Sequence, residues 1–155
     1  MAGMIGEPAR MQPDAISDTV NLAARLEGLS KVYGAALIIS ETVRRQLKDR
    51  DRYQLRFLDR VVVKGRTGEI AIYEILDAEP DTRRRHKLET LPAFEAGIAA
   101  YTNRDLDTAA KHFNTVCTQH PEDKTAQLYQ QRIQHLLREG IPNNWNGVWE
   151  LDHKR

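Results

Sequence analysis

Asp18, Asn21 and Arg25 are spaced i, i+3 and i+7, so a helix opening at Ser17 presents them as one stripe. A carboxamide and a guanidinium one turn apart suit an anionic, hydroxyl-bearing ligand such as a nucleotide. On an ordinary surface helix the same residues are a solvated face, the default for a polar stripe. The other side of this helix is apolar. Leu22, Leu26, Leu29 and Tyr33 recur at i, i+4, i+7 and i+11, the pattern of a helix resting on a core.

The segments that follow alternate between strand and helix. Residues 35–39 read as a short buried strand, and residues 41–48 as a helix capped by Ser40. Tyr53 to Val63 carries a long strand signal. Gly65-Arg66-Thr67-Gly68 reads as a turn and Glu69 to Leu76 as the returning strand.

The ordered series Met1-Ala2-Gly3-Met4-Ile5-Gly6-Glu7, Asp18-Thr19-Val20-Asn21-Leu22-Ala23-Ala24-Arg25-Leu26-Glu27, Ala35-Ala36-Leu37-Ile38-Ile39-Ser40-Glu41, Phe57 to Gly65 and Ile72 to Leu76 resembles the second half of a class III nucleotidyl cyclase domain. The branch it resembles is the bacterial, cyanobacterial-like adenylate cyclases. The resemblance covers residues 1–77 and implies an α+β fold: part of a ferredoxin-like cyclase domain, with a mixed, largely antiparallel sheet and helices. It also implies roles. Arg25 matches the arginine that contacts the α-phosphate during cyclisation, and Asn21 the asparagine that orients the ribose. Lys64 matches the lysine on the terminal phosphates. Asp14, seven residues before Asn21, falls at the base-recognising position, where a carboxylate accepts a hydrogen bond from the adenine amino group. Asp14 also follows Pro13, so turn duty is its plainer reading.

The same resemblance sets expectations about what accompanies these residues. The family's two metal-binding aspartates and its adenine-recognising lysine belong to the first half of the domain, ahead of the segment matched here. No metal ligand is therefore expected within this chain, and the two Mg2+ or Mn2+ ions would be held by the missing N-terminal half. The chain alone should be inactive. Class III sites form between subunits, so a homodimer with ATP as substrate is expected. A guanylate cyclase, or an interaction module retaining these residues as vestiges, are the competing readings.

Ala78-Glu79-Pro80-Asp81-Thr82-Arg83-Arg84-Arg85-His86-Lys87 is charged and marked by proline, which predicts a linker over residues 78–90. Its basic cluster has no interleaved aromatic residue, which argues against nucleic acid. Residues 91–155 form a second, all-α unit, with helices expected over Leu91–Tyr101, Leu106–Gln119 and Thr125–Arg138. Gly97, Ala109, Phe113 and Pro121 fall at spacings similar to one tetratricopeptide repeat. Small residues at Gly97 and Ala109 let two helices approach, with Phe113 in the seam. A lone repeat cannot bury its own face, so the unit needs a cover from the first part of the chain or from a protein partner. Trp145 and Trp149 in the tail are expected to cap an edge of the helices.

Composition bounds the rest. The 155 residues are 41% apolar with a formal net charge of +1, which signals no global attraction to nucleic acid or membrane. Cys117 is the single cysteine, in keeping with a reducing, cytoplasmic setting. No apolar run approaches the roughly 20 residues that span a bilayer. Upstream segments of a parent protein could still carry an anchor or a sensor. His112, His120 and His135 have no metal-ligand spacing.

Overall fold

The computed structural model describes residues 28–47, 52–62 and 68–150, with the backbone alone at 149–150. Residues 28–33 are helical and stop at Gly34, whose φ of +65° suits glycine. Strand β1 (Ile38–Ser40) is buried throughout. It leads into helix α1 (Glu41–Gln46), where the Ser40 hydroxyl accepts a hydrogen bond from the Val43 amide at 3.2 Å. The cap expected from the sequence is thus made.

Strands β2 (Leu55–Val62) and β3 (Glu69–Ile75) form an antiparallel pair, and β1 joins β3 on the far side, also antiparallel. A short final strand, β4 (Trp149–Glu150), runs parallel to β2 at Val61 and Val62, giving the order β1-β3-β2-β4. The fold is α+β, and β4 is an addition that the tail sequence did not announce.

β2 is irregular in a useful way. The register slips between Phe57 and Asp59, and Leu58 and Asp59, neighbours in sequence, are both buried. Successive residues of a regular strand face opposite sides of the sheet. The bulge turns both inward.

Three long helices follow: α2 (Asp81–Thr102), α3 (Leu106–Gln119) and α4 (Lys124–Glu139). Residues 81–90, expected as linker, are instead the first turns of α2. Pro92 would be best tolerated in the first turn of a helix. Here it lies inside the helix, and the preceding turns are held by tertiary contacts: Lys87 and Thr90 are both buried. Asp105 and Asp123 cap α3 and α4 through the Thr108 and Ala126 amides.

The helices share a core of Phe94, Tyr101, Ala109, Phe113, Val116, Tyr129 and Ile133. Gly97 is buried against Phe113, and a Cβ at that position would lie 2.9 Å from the ring. The seam expected between Gly97 and Phe113 therefore exists. The Phe113 ring stacks on Tyr129 with centroids 4.9 Å apart. Trp145 packs edge-on against Tyr101 at 5.1 Å, so one tryptophan does cap the helices. A second core, Tyr33, Ala35, Ile38, Leu58, Val61 and Ile72, lies on the inner face of the sheet, with Leu128 of α4 packed against it. The helices cover the sheet.

Candidate functional site

Asp14, Asn21, Arg25 and Lys64 all lie outside the described residues. The structure describes the segments that adjoin Arg25 and Lys64 in the chain, which serve as the roots of the proposed site. Residues 28–33 come three residues after Arg25, and β2 ends two residues before Lys64. Both roots are anchored in the interior.

The helical root is held by its apolar stripe. Tyr33 is 2% exposed and Leu29 packs beside it on the sheet core, as the i, i+4 pattern requires. The Tyr33 hydroxyl donates to Asp59 Oδ2 at 2.7 Å, which ties this helix to β2. Helix α4 holds the same place from the other side. Thr125 Oγ1 donates to the Tyr33 carbonyl at 2.7 Å.

Asp59 is the meeting point. Besides Tyr33, its Oδ2 takes an ion pair from Arg132 of α4 at 2.8 Å. Its Oδ1 accepts from the Arg60 amide at 2.9 Å and from the Tyr129 hydroxyl at 3.3 Å. Tyr129 also donates to the Leu58 carbonyl at 2.6 Å. Burial, then the Asp59 charge, pushes the Tyr33 phenol well above its ordinary value, so it stays a donor. Burial opposes the Arg132 charge, but Asp59 outweighs it and keeps the guanidinium protonated.

A second buried network lies alongside. Arg56 Nε donates to Glu74 Oε2 at 2.6 Å, and its other nitrogens reach Asp123 at 2.8 and 3.2 Å. Lys87 of α2 donates to Glu74 Oε1 at 2.7 Å, to the Gly34 carbonyl at 3.0 Å and to Glu79 Oε2 at 3.3 Å. Glu79 also accepts from the Ala36 amide at 2.7 Å. Burial alone would raise the carboxyl pKa of both Asp123 and Glu79. Arg56 beside Asp123, and the Ala36 amide with Lys87 beside Glu79, reverse the sign and hold both below the usual carboxylate range. Charges this deep persist only as a satisfied set.

These residues escaped the sequence reading. The available signal was a charge inside an otherwise apolar strand: Arg56 and Asp59 within Leu55–Val62, and Glu74 within Glu69–Ile75. Strand alternation assigns such charges to solvent. Their partners Lys87, Asp123 and Arg132 are remote in sequence.

Among the described residues, no group of three or more His, Cys, Asp or Glu side chains could hold a metal ion, and no helix is long and apolar enough to cross a membrane. The described part of the chain holds no set of ligands that fits a metal.

No protein-family description matches this sequence, and no solved structure does. Curated proteins do. The chain is 34% identical over 137 residues to the terminal-differentiation specific adenylate cyclase of Dictyostelium discoideum. It is 42% identical over 74 residues to an adenylate cyclase of Anabaena cylindrica, and 40% identical over 76 residues to adenylate cyclase 1 of Rhizobium meliloti (strain 1021). Its relatives are adenylate cyclases. The first match takes in 86% of this chain, so it extends well into the helices, whereas the others take in 47% and 49%. The chain spans only 6%, 15% and 11% of those cyclases' own lengths.

Proposed function

We propose that this chain supplies the nucleotide-binding part of a class III adenylate cyclase, which converts ATP to 3′,5′-cyclic AMP and pyrophosphate. The observation that carries the reading is similarity to three adenylate cyclases, in a sequence where Asn21, Arg25 and Lys64 stand in the family's register.

Cyclisation is attack of the ribose 3′-hydroxyl on the α-phosphate with pyrophosphate leaving, and it is catalysed by in-line placement and charge stabilisation. In this reading Asn21 orients the ribose and Arg25 takes up charge at the α-phosphate, a task for a permanent planar cation. Lys64 holds the terminal phosphates, and Asp14 accepts from the adenine amino group. Two Mg2+ or Mn2+ ions would activate the hydroxyl and neutralise the triphosphate, held by carboxylates of the other half of the domain. The enzyme would be a cytoplasmic homodimer with its sites shared between subunits. The helical unit would be a tetratricopeptide-like module, a reading supported by the Gly97–Phe113 seam, and its outer surface is available to a protein partner.

The test is reconstitution. The purified chain with ATP and Mn2+ should give no cyclic AMP above background. Mixed with the metal-binding half of a class III domain, it should give cyclic AMP. GTP turnover in place of ATP turnover would convert the assignment to a guanylate cyclase. A fully assembled mixture inert towards both nucleotides would leave the chain an interaction module.

A further inference from the structure

Helix α4 touches both roots of the proposed site within three turns. Thr125 binds the Tyr33 carbonyl at 2.7 Å, and Lys124 reaches the Lys31 carbonyl at 3.5 Å. Further along, Tyr129 binds the Leu58 carbonyl at 2.6 Å and Arg132 pairs with Asp59 at 2.8 Å. Asp59 in turn accepts from Tyr33 at 2.7 Å, closing a triangle among the helical root, β2 and α4. Leu128 fills the space between these polar contacts by packing on the sheet core.

We propose that Asp59, held by Arg132 and Tyr33, is a positioning residue that sets the helical turns at 28–33 against β2, the two segments that adjoin Arg25 and Lys64 in the chain. The helical unit is then part of the framework that holds these two segments in place. The inference rests on the cyclase reading above for its effect on activity.

The physical reason is that the triangle is short, dry and charge-assisted. Tyr33 and Tyr129 are 2% and 1% exposed, Asp59 1% and Arg132 8%. Such bonds are geometrically strict, and misplacing a catalytic group by about 1 Å can cost on the order of a hundredfold in rate. Arg25 and Lys64 act on opposite ends of the triphosphate, so their separation matters to both binding and turnover.

Three variants of the whole chain separate positioning from simple stability. Tyr33→Phe removes one hydroxyl from the triangle. Arg132→Met removes the α4 charge while keeping an unbranched stem. Val116→Ala weakens the helical core without removing any side chain of the triangle. By amide hydrogen exchange, Arg132→Met and Tyr33→Phe should speed exchange of residues 28–33 and 58–62 relative to α3, by about tenfold. Val116→Ala, which lies in α3 itself, should not raise that ratio. In the reconstituted cyclase, below the melting temperature of each variant, the two triangle variants should lower kcat by about ten- to a hundredfold and raise KM for ATP. Arg132→Lys should recover part of the loss.

If exchange at both roots stays unchanged relative to α3, the coupling does not exist. If exchange rises but kcat and KM match those of Val116→Ala, the contact is structural only and the positioning role is wrong. If the unsubstituted assembly makes no cyclic AMP, the cyclase reading fails, and with it the effect on turnover. Hydrogen exchange then decides the coupling between the roots by itself.

Discussion

Arg56 and Glu74 stand opposite one another on β2 and β3, joined at 2.6 Å, with neither side chain exposed to solvent. Each is also bound by a helix, Arg56 by the Asp123 cap of α4 and Glu74 by Lys87 of α2. The contact between sheet and helices is therefore partly ionic at its centre, with the guanidinium of Arg56 lying 4.2 Å over the Phe94 ring.

Glu74→Gln should destabilise the chain by about 3–5 kcal/mol, because two buried cations then lose their shared carboxylate. Urea unfolding followed by tyrosine and tryptophan fluorescence measures this as a lowered midpoint. A midpoint equal to that of the unsubstituted chain would show that water enters the network and relieves the charge.

Gly97→Ala sets two effects against each other. Alanine is worth about 1 kcal/mol over glycine inside a helix, but its Cβ would lie 2.9 Å from the Phe113 ring. Overpacking at such a contact costs roughly 1–3 kcal/mol, so the variant should be less stable. In a Phe113→Leu background the same substitution should become stabilising. Thermal melts of the four proteins read the reversal directly, and a stabilised Gly97→Ala in the original background would contradict the packing argument.

Acid should loosen the chain in two stages. The His120 side chain is buried 3.9 Å from Asp123, and its Nδ1 has no hydrogen-bond partner among the described residues. Burial holds its pKa below the ordinary 6.5, with His86, Lys87 and Arg56 reinforcing the shift and Asp123 opposing it. Between about pH 6.5 and that lower value the unfolded chain takes up a proton that the folded chain refuses, so stability falls as pH drops. Asp123 and Glu79 have depressed pKa values. Their contribution is present above the ordinary carboxylate range of about 4 and disappears as pH falls through the folded values. His120→Gln should abolish the first stage and keep the second, as seen in melting temperature plotted against pH. An unchanged first stage would assign it to another group.

In the reconstituted cyclase, Arg25→Ala should lower kcat by roughly a hundredfold to a hundred-thousandfold, with KM for ATP changed much less, as for a group acting on transition-state charge. Normal kcat with a raised KM would make Arg25 a ground-state binder. Asp14→Ala should erode the preference for ATP over GTP. Undiminished discrimination would return Asp14 to its role as a turn residue after Pro13.

The local signals in the sequence were enough to specify local structure. Ser40 announced a cap and the cap is made, while the alternation at 55–62 and 69–75 announced two strands that pair. The stripe ending in Leu29 and Tyr33 announced a buried helical face, and both residues pack on the sheet. The proposed site residues Asn21, Arg25 and Lys64 come from the resemblance to class III cyclases and lie outside the described residues, so the fold does not test them. The joint between sheet and helices was not legible. Arg56, Asp59 and Glu74 read as solvated charges because alternation reports only which side of a strand a residue takes, and a bulge reverses even that at Asp59. Whether a charge is buried depends on partners 67 and 73 positions away in the chain, Asp123 for Arg56 and Arg132 for Asp59. Residues 81–90 read as a linker for the same reason: their helix is held by Lys87, which reaches Gly34, Glu74 and Glu79. Sequence spacing determines which face a residue occupies, but only the folded chain brings together the groups that make a buried charge stable.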